Sequence, residues 1–214
     1  MKNTGAKAVK NKVAVGGAAE TPTKLIDVAI DLFAANGFKG TSIRDISKLT
    51  GMTLSNIYYY FGSKEGLLFA VLERSTRGIV ERLRQVCESQ LDPLERFKLL
   101  LKTHLGLILD TYRKEAKILF LDEEHLIRIS KEFQVDILNM YRKQLQNLQL
   151  EGCIDKKRNV IALAFDILGV INWHLRWYRP GGAMSLDDVA DEMLAFVLRG
   201  VLIPPGRGRP HRLR

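Results

Sequence analysis

The sequence predicts an all-α protein. Apolar residues recur at spacings of three and four along most of the 214 residues, as expected for helices with one buried face. Capping residues, proline and glycine separate these runs, and no segment shows the apolar–polar alternation of a half-buried strand. The chain is long enough for one large domain or two small ones with a proper core. We therefore expect helices throughout.

The first helix is predicted to begin at Thr21-Pro22, a capping residue followed by the residue best suited to the first helical turn. It is expected to end at Asn36-Gly37, because glycine readily takes the left-handed conformation that closes a helix. Residues 1–20 lack periodicity and are interpreted as a disordered basic arm. This arm is either solvated only, or it adds phosphate or minor-groove contacts to nucleic acid.

The stretch Thr41–Lys64 predicts two short helices joined by a tight turn, which is typical of a helix-turn-helix. The first helix is Ser42–Thr50 and the second is Leu54–Phe61. Gly51 is the stop between them, and Thr53 can cap the second. The residues expected to face inward lie at helical spacing: Ile43, Ile46, Leu49, Ile57 and Phe61.

Three consecutive tyrosines, Tyr58, Tyr59 and Tyr60, distinguish the second of these helices. They span roughly 200° of arc at about 3.6 residues per turn, so they cannot all face one core. Together with Ser55 and Asn56 they form a polar and aromatic surface that fits a DNA major groove. The local pattern leaves open an ordinary helical hairpin whose tyrosines bury their rings and keep their hydroxyls wet.

Further helical segments are predicted after Ser63, and residues 67–202 are assigned to a second helical domain. One of them, 156–179, is apolar around most of its circumference, so it is either central or buried against a second copy of the chain. The last helix could complete a four-helix, two-fold interface. The segments are Ser63 to about Gln90, Asp92-Pro93 to about Lys114, 115–129, Phe133–Leu150, 156–179 and Ser185–Val201.

The positive charge is concentrated at the two ends of the chain. Of the net charge of +9, residues 1–20 carry +3 and the last eight residues carry +4, which leaves +2 between them. The predicted DNA-binding domain, 21–66, has a net charge of only +1. Nucleic-acid affinity must therefore come from a few placed cations. The tail 203–214 contains one Arg-Gly-Arg-Pro that resembles a minor-groove AT-hook core, so a DNA-coating architectural protein is a remote alternative.

Several classes are disfavoured by what the sequence lacks. No segment reaches the roughly 20 apolar residues of a membrane span, and the N-terminus has no secretory apolar region. Cys87 and Cys153 have no metal-ligand spacing and favour a reducing cytoplasm. No catalytic motif is present, so a helical enzyme is also a remote alternative. The Asp122–His125 segment has the spacing of half a di-iron site but no second copy, and neither metal nor cofactor is expected.

About 45 residues resemble the TetR family of bacterial transcriptional regulators. The matching residues are Ala29, Leu32, Phe33, Gly37, Thr41, Ser42, Ile43, Ile46, Gly51, Tyr58, Tyr60-Phe61, Ser63-Lys64-Glu65 and Leu67-Leu68. The resemblance implies a helix-turn-helix domain that binds operator DNA, followed by a ligand-binding domain. It also implies a homodimer through helices 156–179 and 185–201, and a repressor released by its effector.

A shorter resemblance concerns the effector. Arg176–Gly182, Asp92–Arg96 and Asp122-Glu123 are similar to the subgroup that regulates fatty-acid and steroid catabolism, whose members respond to acyl-CoA thioesters. The alternative is a regulator of efflux or stress genes that responds to an apolar or aromatic small molecule.

Site residues follow from the family resemblance, position by position. Asn56 is the better candidate for discriminating bases, Leu54 suits a thymine methyl, and Arg44 and Lys64 suit phosphates. The expected DNA contacts are Ser42, Arg44, Leu54, Ser55, Asn56, Tyr58, Tyr59, Tyr60 and Lys64. The candidate effector contacts are Phe120, His125, Tyr141, Trp173, Arg176 and Trp177. For the aromatic residues plain core packing is the alternative, and for Arg176, which suits a phosphate, it is a salt bridge.

Overall fold

A computed structural model describes residues 20–121 and 131–204, with side chains for 22–118 and 135–204. Within these ranges the chain is helical and contains no strand, which confirms the predicted class. Residues 1–19 of the predicted arm, residues 205–214 of the Arg-rich tail and Asp122–His125 lie outside the described residues, whereas Glu20, assigned to the arm, is the first residue of α1. The helices are α1 Glu20–Gly40, α2 Ile43–Thr50, α3 Leu54–Phe61, α4 Lys64–Cys87, α5 Pro93–Gly106, a π-helical segment Leu107–Thr111, α6 Arg113–Leu121, α7 Lys131–Leu150, α8 Val160–Trp177 and α9 Leu186–Val201.

The helices α1, α2 and α3 form a small N-terminal unit that depends on later parts of the chain for its core. The N-terminal half of α4 packs into it, and so does Ile118 of α6. A unit of about 40 residues buries little surface alone, so this shared packing stabilises it. The residues that fill this core are Leu25, Ala29, Ile30, Phe33, Phe38, Ile43, Ile46, Ile57, Leu67, Leu68, Val71 and Leu72.

The second core lies among the rest of α4 and the helices α5, α7, α8 and α9. Its polar centre is a pair of fully buried side chains, in which His104 Nδ1 lies 3.0 Å from the Tyr141 hydroxyl. Burial lowers the pKa of His104 to about 4 and raises the pKa of Tyr141 well above its usual value. Both groups are therefore neutral at pH 7. Cys87 and Cys153 are half-buried free thiols at the edge of this core.

Two ion pairs tie the N-terminal unit to the bundle. Arg74 of α4 bonds Asp27 of α1 at 2.7 Å, and Lys114 of α6 bonds Asp31 of α1 at 2.5 Å. The helices α4 and α6 both reach from one core into the other, so each of them connects the bundle to the N-terminal unit.

Three details of the sequence prediction are wrong. The helix expected to run from Asp92-Pro93 to about Lys114 is broken by the π-helical segment, where the Tyr112 N–H donates to the carbonyl of Leu107, five residues earlier. The helix expected over 156–179 begins only at Val160, capped by Asn159. Leu49, expected to face inward, is 62% exposed, because Thr50 takes the buried position and donates its hydroxyl to the carbonyl of Ile46.

Among the described helices, α8 alone is long and apolar enough by composition to be a candidate membrane span. Its inner residues, including Leu163, Ile167 and Ile171, fill the bundle core. Core helices pass the same compositional test, so its apolar character already has a structural reason.

Candidate nucleic-acid interface

The turn between α2 and α3 is fixed by capping interactions on both sides. Ser42 and Asp45 form a reciprocal capping box at the start of α2, and the hydrogen bonds from Ser42 lower the pKa of the Asp45 carboxyl. Gly51 ends α2 with φ of 73°, in the left-handed region where a side chain is disfavoured. The Thr53 hydroxyl then accepts from the Asn56 N–H at 3.2 Å. The predicted glycine stop and threonine cap are thus confirmed.

Helix α3 has one buried anchor and several exposed side chains. Ile57 is buried and Phe61 is half-buried against the N-terminal core, as predicted. Leu54, Ser55 and Asn56 are exposed at its N-terminal end. The three tyrosines are exposed as well, and Tyr59 reaches 84%. The arc argument is therefore confirmed, since the tyrosines do not fill a core.

Neighbouring cations flank this surface. Arg44 is exposed on α2. Lys64, in the first turn of α4, lies with its Nζ 4.2 Å from the ring centroid of Phe38, which holds the ammonium near the end of α3. Ser42 is exposed too, but its hydroxyl already donates to Asp45 at 2.6 Å. The expected DNA-contact residues therefore lie at the rim and on the face of one convex surface formed by α2, α3 and the start of α4.

The chemistry of this surface suits duplex DNA. A short helix that presents an amide and hydroxylated rings, braced by a preceding helix, has the shape that enters a major groove. Cations at its edge can bond phosphates and set its position.

The four candidate effector contacts whose side chains are described lie in two different environments. Tyr141 is buried in the bundle, whereas Trp173, Arg176 and Trp177 are exposed on α8. Arg176 stacks near Trp173, at 6.0 Å from guanidinium carbon to ring centroid. Phe120 lies in α6 at a position whose side chain is not described, and His125 lies outside the described residues. A shared effector pocket for these residues stays a prediction.

Among the described residues, no group of His, Cys, Asp and Glu side chains is placed to hold a metal ion. The sequence prediction did not include His104, the partner of Tyr141, or Gly66, which lies close to the end of α3.

Comparison with known proteins places the chain among regulators. Residues 25–71 match the family model described as bacterial regulatory proteins of the tetR family, and residues 90–201 match the tetracyclin repressor-like C-terminal domain. The HTH-type transcriptional repressor KstR2 of Rhodococcus jostii is 29% identical over 191 residues, or 85% of this chain and 91% of that protein.

Solved structures share the whole fold. The ketosteroid transcriptional regulator KstR2 of Mycobacterium tuberculosis superposes with a TM-score of 0.69 at 26% identity, covering 85% of this chain and 95% of that one. AibR, in complex with isovaleryl coenzyme A and operator DNA, superposes with a TM-score of 0.71 at 22% identity, over 82% and 97% of the two chains. At that identity, AibR demonstrates only the common fold.

The fold and the exposed α3 surface, with these matches, define a ligand-responsive DNA-binding transcriptional regulator that acts on operator DNA. The chain belongs to the TetR family.

Proposed function

We propose that this regulator is a dimeric repressor, that it reads its operator through α3, and that an acyl-CoA thioester releases it. The observation that carries the proposal is the exposed row of Asn56 and the three tyrosines on a helix fixed by caps at both ends. Binding of the effector, without chemical conversion, is sufficient for this mechanism. The regulator would act in the cytoplasm, where operator DNA is accessible.

The DNA contacts are assigned by side-chain chemistry. Asn56 can pair with an adenine edge through both atoms of its amide, and Leu54 can contact a thymine methyl. Arg44, Lys64 and the Tyr58 hydroxyl bond phosphates and hold the helix in register. Tyr59 and Tyr60, whose rings meet edge to face at 5.5 Å, cover bases and sugar as one unit. Ser55 adds a contact to the DNA backbone, whereas the Ser42 hydroxyl is already engaged by Asp45 and fixes the start of α2.

The dimer is assigned to the outer faces of α8 and α9. Phe165 and Trp173 are 59% and 62% exposed on α8, and Phe196 of α9 is 66% exposed. Large exposed apolar residues clustered on one face mark an association surface. A second copy packed here completes a two-fold, four-helix interface and presents two α3 helices on one side. Such a pair fits half-sites about one DNA turn apart.

The effector class is supported by the sequence resemblance to the acyl-CoA-responsive subgroup and by the similarity to KstR2, named a ketosteroid regulator. AibR, a protein of the same fold, was solved in complex with isovaleryl coenzyme A and operator DNA, so this fold can hold an acyl-CoA ligand. Release requires the effector to bind the DNA-incompetent arrangement of the dimer more tightly than the competent one.

Selection of binding sites from a random pool of DNA duplexes, with the full chain, tests the proposed recognition of an operator sequence. We expect a palindromic site. Asn56→Ala should relax the preference at one position of each half-site and weaken operator binding by about 1–3 kcal/mol. The control is Asn139→Ala, an exposed asparagine on α7. Recovery of no common sequence would contradict the proposal.

A mobility-shift titration of the operator complex with acyl-CoA thioesters tests the effector. We expect release by at least one thioester, with no turnover of the ligand in a parallel assay. If only apolar or aromatic compounds free of CoA release the DNA, the efflux or stress-gene alternative replaces the acyl-CoA reading.

A further inference from the structure

Two guanidinium groups converge on one backbone carbonyl where α8 ends. Arg113, at the start of α6, donates from Nη2 to the carbonyl oxygen of Tyr178 at 2.9 Å. Arg179 donates from Nη1 to the same oxygen at 3.1 Å. Backbone carbonyls of Leu109 and Arg176 accept further hydrogen bonds from these two guanidiniums. The carbonyl-rich end of α8 therefore holds two positive charges side by side.

A third cation completes the cluster. Lys117 lies one helical turn after Arg113, on the same side of α6. Burial lowers the pKa of Arg113, and the neighbouring Arg179 lowers it further. The pKa of Lys117 is also lowered by burial and then by Arg113 and Arg179. Within the part of the chain that the structure describes, none of the ion pairs involves any of the three.

Arg113 and Lys117 of this cluster line a groove between the bundle and the DNA-binding unit, and Arg179 lies beside Arg113 at the Tyr178 carbonyl. This groove has a volume of about 470 Å³ and is lined by Arg113, Lys114 and Lys117 from α6, opposite Asp31, Ala34 and Ala35 from α1. The two alanines leave room where longer side chains would fill the space. The groove therefore has free space beside the alanines of α1, and its α6 side is cationic.

The chemistry of the three side chains favours a ligand with more than one phosphate. A guanidinium presents a planar fork of N–H donors that matches phosphate oxygens, and an ammonium adds a compact charge. Like charges held close together repel each other until an anion binds between them. Because carbonyl contacts already fix both guanidiniums, little side-chain entropy is lost on binding.

We propose that Arg113, Lys117 and Arg179 bind the phosphates of the effector's nucleotide portion in the groove between α6 and α1. The assignment rests on the proposed acyl-CoA effector and gives its phosphates a position other than Arg176. Lys114 lies in the same groove and holds Asp31 of α1 at 2.5 Å. A phosphate bound there competes with Asp31 for Lys114, which weakens the tie between α6 and the DNA-binding unit.

Calorimetric titration of the full chain with octanoyl-CoA, octanoyl-pantetheine and ADP tests this site. The test variant is Lys117→Gln with Arg179→Gln, which leaves the buried contacts of Arg113 intact. The control is Lys98→Gln with Lys102→Gln, which removes the same charge at helical spacing on α5. We expect the test variant to bind octanoyl-CoA at least about tenfold more weakly, as loss of charged hydrogen bonds implies. Both variants should bind octanoyl-pantetheine as the wild type does.

The outcomes separate this site from the proposed function. If octanoyl-CoA binds both variants with wild-type affinity and still releases the operator, the phosphate site is overturned and the repressor proposal stands. If no acyl-CoA binds the wild type, the proposed effector is wrong. In that case, ADP binding by the wild type and not by the test variant supports the site for another nucleotide ligand, and an absence of ADP binding overturns it.

Discussion

At the scale of single residues, the buried pair His104 and Tyr141 makes the bundle sensitive to acid. Burial, which is the cause of the low pKa of His104, penalises only the charged imidazolium. In the unfolded chain a histidine titrates near its ordinary pKa of about 6.5. Between pH 6.5 and about pH 4, His104 therefore binds a proton in the unfolded chain but not in the folded chain.

We therefore predict that the free energy of unfolding falls as pH drops from about 6.5 towards 4, by up to about 1.4 kcal/mol per pH unit. The contribution is fully present above the unfolded pKa. Urea denaturation across this range measures it. The double variant His104→Leu with Tyr141→Phe should lose this part of the slope, whereas Tyr141→Phe alone keeps His104 and should retain it. An unchanged slope in the double variant would assign the acid sensitivity to other groups.

Single residues also mark the limit of what the sequence could predict. Exposure of the three tyrosines followed from helical geometry alone. The choice between Leu49 and Thr50 did not, because Thr50 gains a hydrogen bond to Ile46 that offsets its polarity when buried. The spacing of the apolar residues does not reveal this hydrogen bond. The proximity of Arg113 and Arg179 could not be predicted either, because the two residues are far apart in the sequence and meet only at the carbonyl of Tyr178.

At the scale of elements, the joint between α3 and α4 is the tightest contact near the DNA surface. Ser63 caps α4 by accepting from the Gly66 N–H at 3.0 Å. A Cβ on Gly66 would lie 1.9 Å from the carbonyl oxygen of Phe61, the last residue of α3. The absence of a side chain at this position lets α4 start directly against the end of α3.

We predict that Gly66→Ala displaces α3 and lowers operator affinity at least about tenfold, because a backbone atom cannot move aside as a side-chain tip can. Fluorescence anisotropy with labelled operator measures the affinity, and thermal unfolding measures the accompanying loss of stability. Gly106→Ala is the matched control, since no atom lies within 4 Å of its added Cβ and alanine favours a helix. Equal affinities of both variants would contradict the role of this joint.

Helix starts were predicted better than helix continuity. The caps at Thr53, Ser63, Asp92 and Ser185 are local signals, and the structure confirms each of them. The cap at Asn159 was not predicted, because apolar residues dominate the segment that follows it. The π-helical segment continues the leucine-rich pattern of the α-helix before it, so apolar spacing alone does not reveal where the helix changes.

At the scale of the whole molecule, α4 belongs to two cores at once. Its first half packs with α1, α2 and α3, and its second half packs with α5 and α7. The predicted boundary at residue 66 stays a prediction, but the core of the DNA-binding unit includes Leu67, Leu68, Val71 and Leu72 beyond it. A ligand that shifts the bundle must therefore move the α3 surface with it.

Dimerisation should depend on the outer face of α8. We predict that Phe165→Glu with Trp173→Glu yields a folded monomer with operator affinity reduced by orders of magnitude, because a charge cannot be buried against a second copy. Sedimentation velocity and circular dichroism measure assembly and folding. Leu150→Glu, an equally exposed apolar position on α7, is the control. If the double variant remained dimeric, the dimer interface would have to lie on another surface of the protein.

Bulk charge should affect non-specific binding more than operator recognition. Replacing Arg207, Arg209, Arg212 and Arg214 by Gln removes four of the nine net charges. We predict that the salt slope of non-specific DNA binding becomes shallower by up to about 3–4, given a slope of about 0.9 per phosphate neutralised. Filter binding over a salt series measures it. An unchanged slope would mean that the tail makes no phosphate contacts.

The π-helical segment Leu107–Thr111, together with the non-helical Tyr112 that follows it, joins α5 to α6 and determines where α6 lies. Its five-residue hydrogen bond accommodates one residue more than an α-helical turn would, and each residue turns a helix by about 100°. Deleting one residue there would displace α6, which would move Ile118 out of the N-terminal core and Arg113 and Lys117 away from the groove. A single codon gained or lost in this segment would therefore disturb the coupling between ligand and operator, without any change to the residues that touch either one.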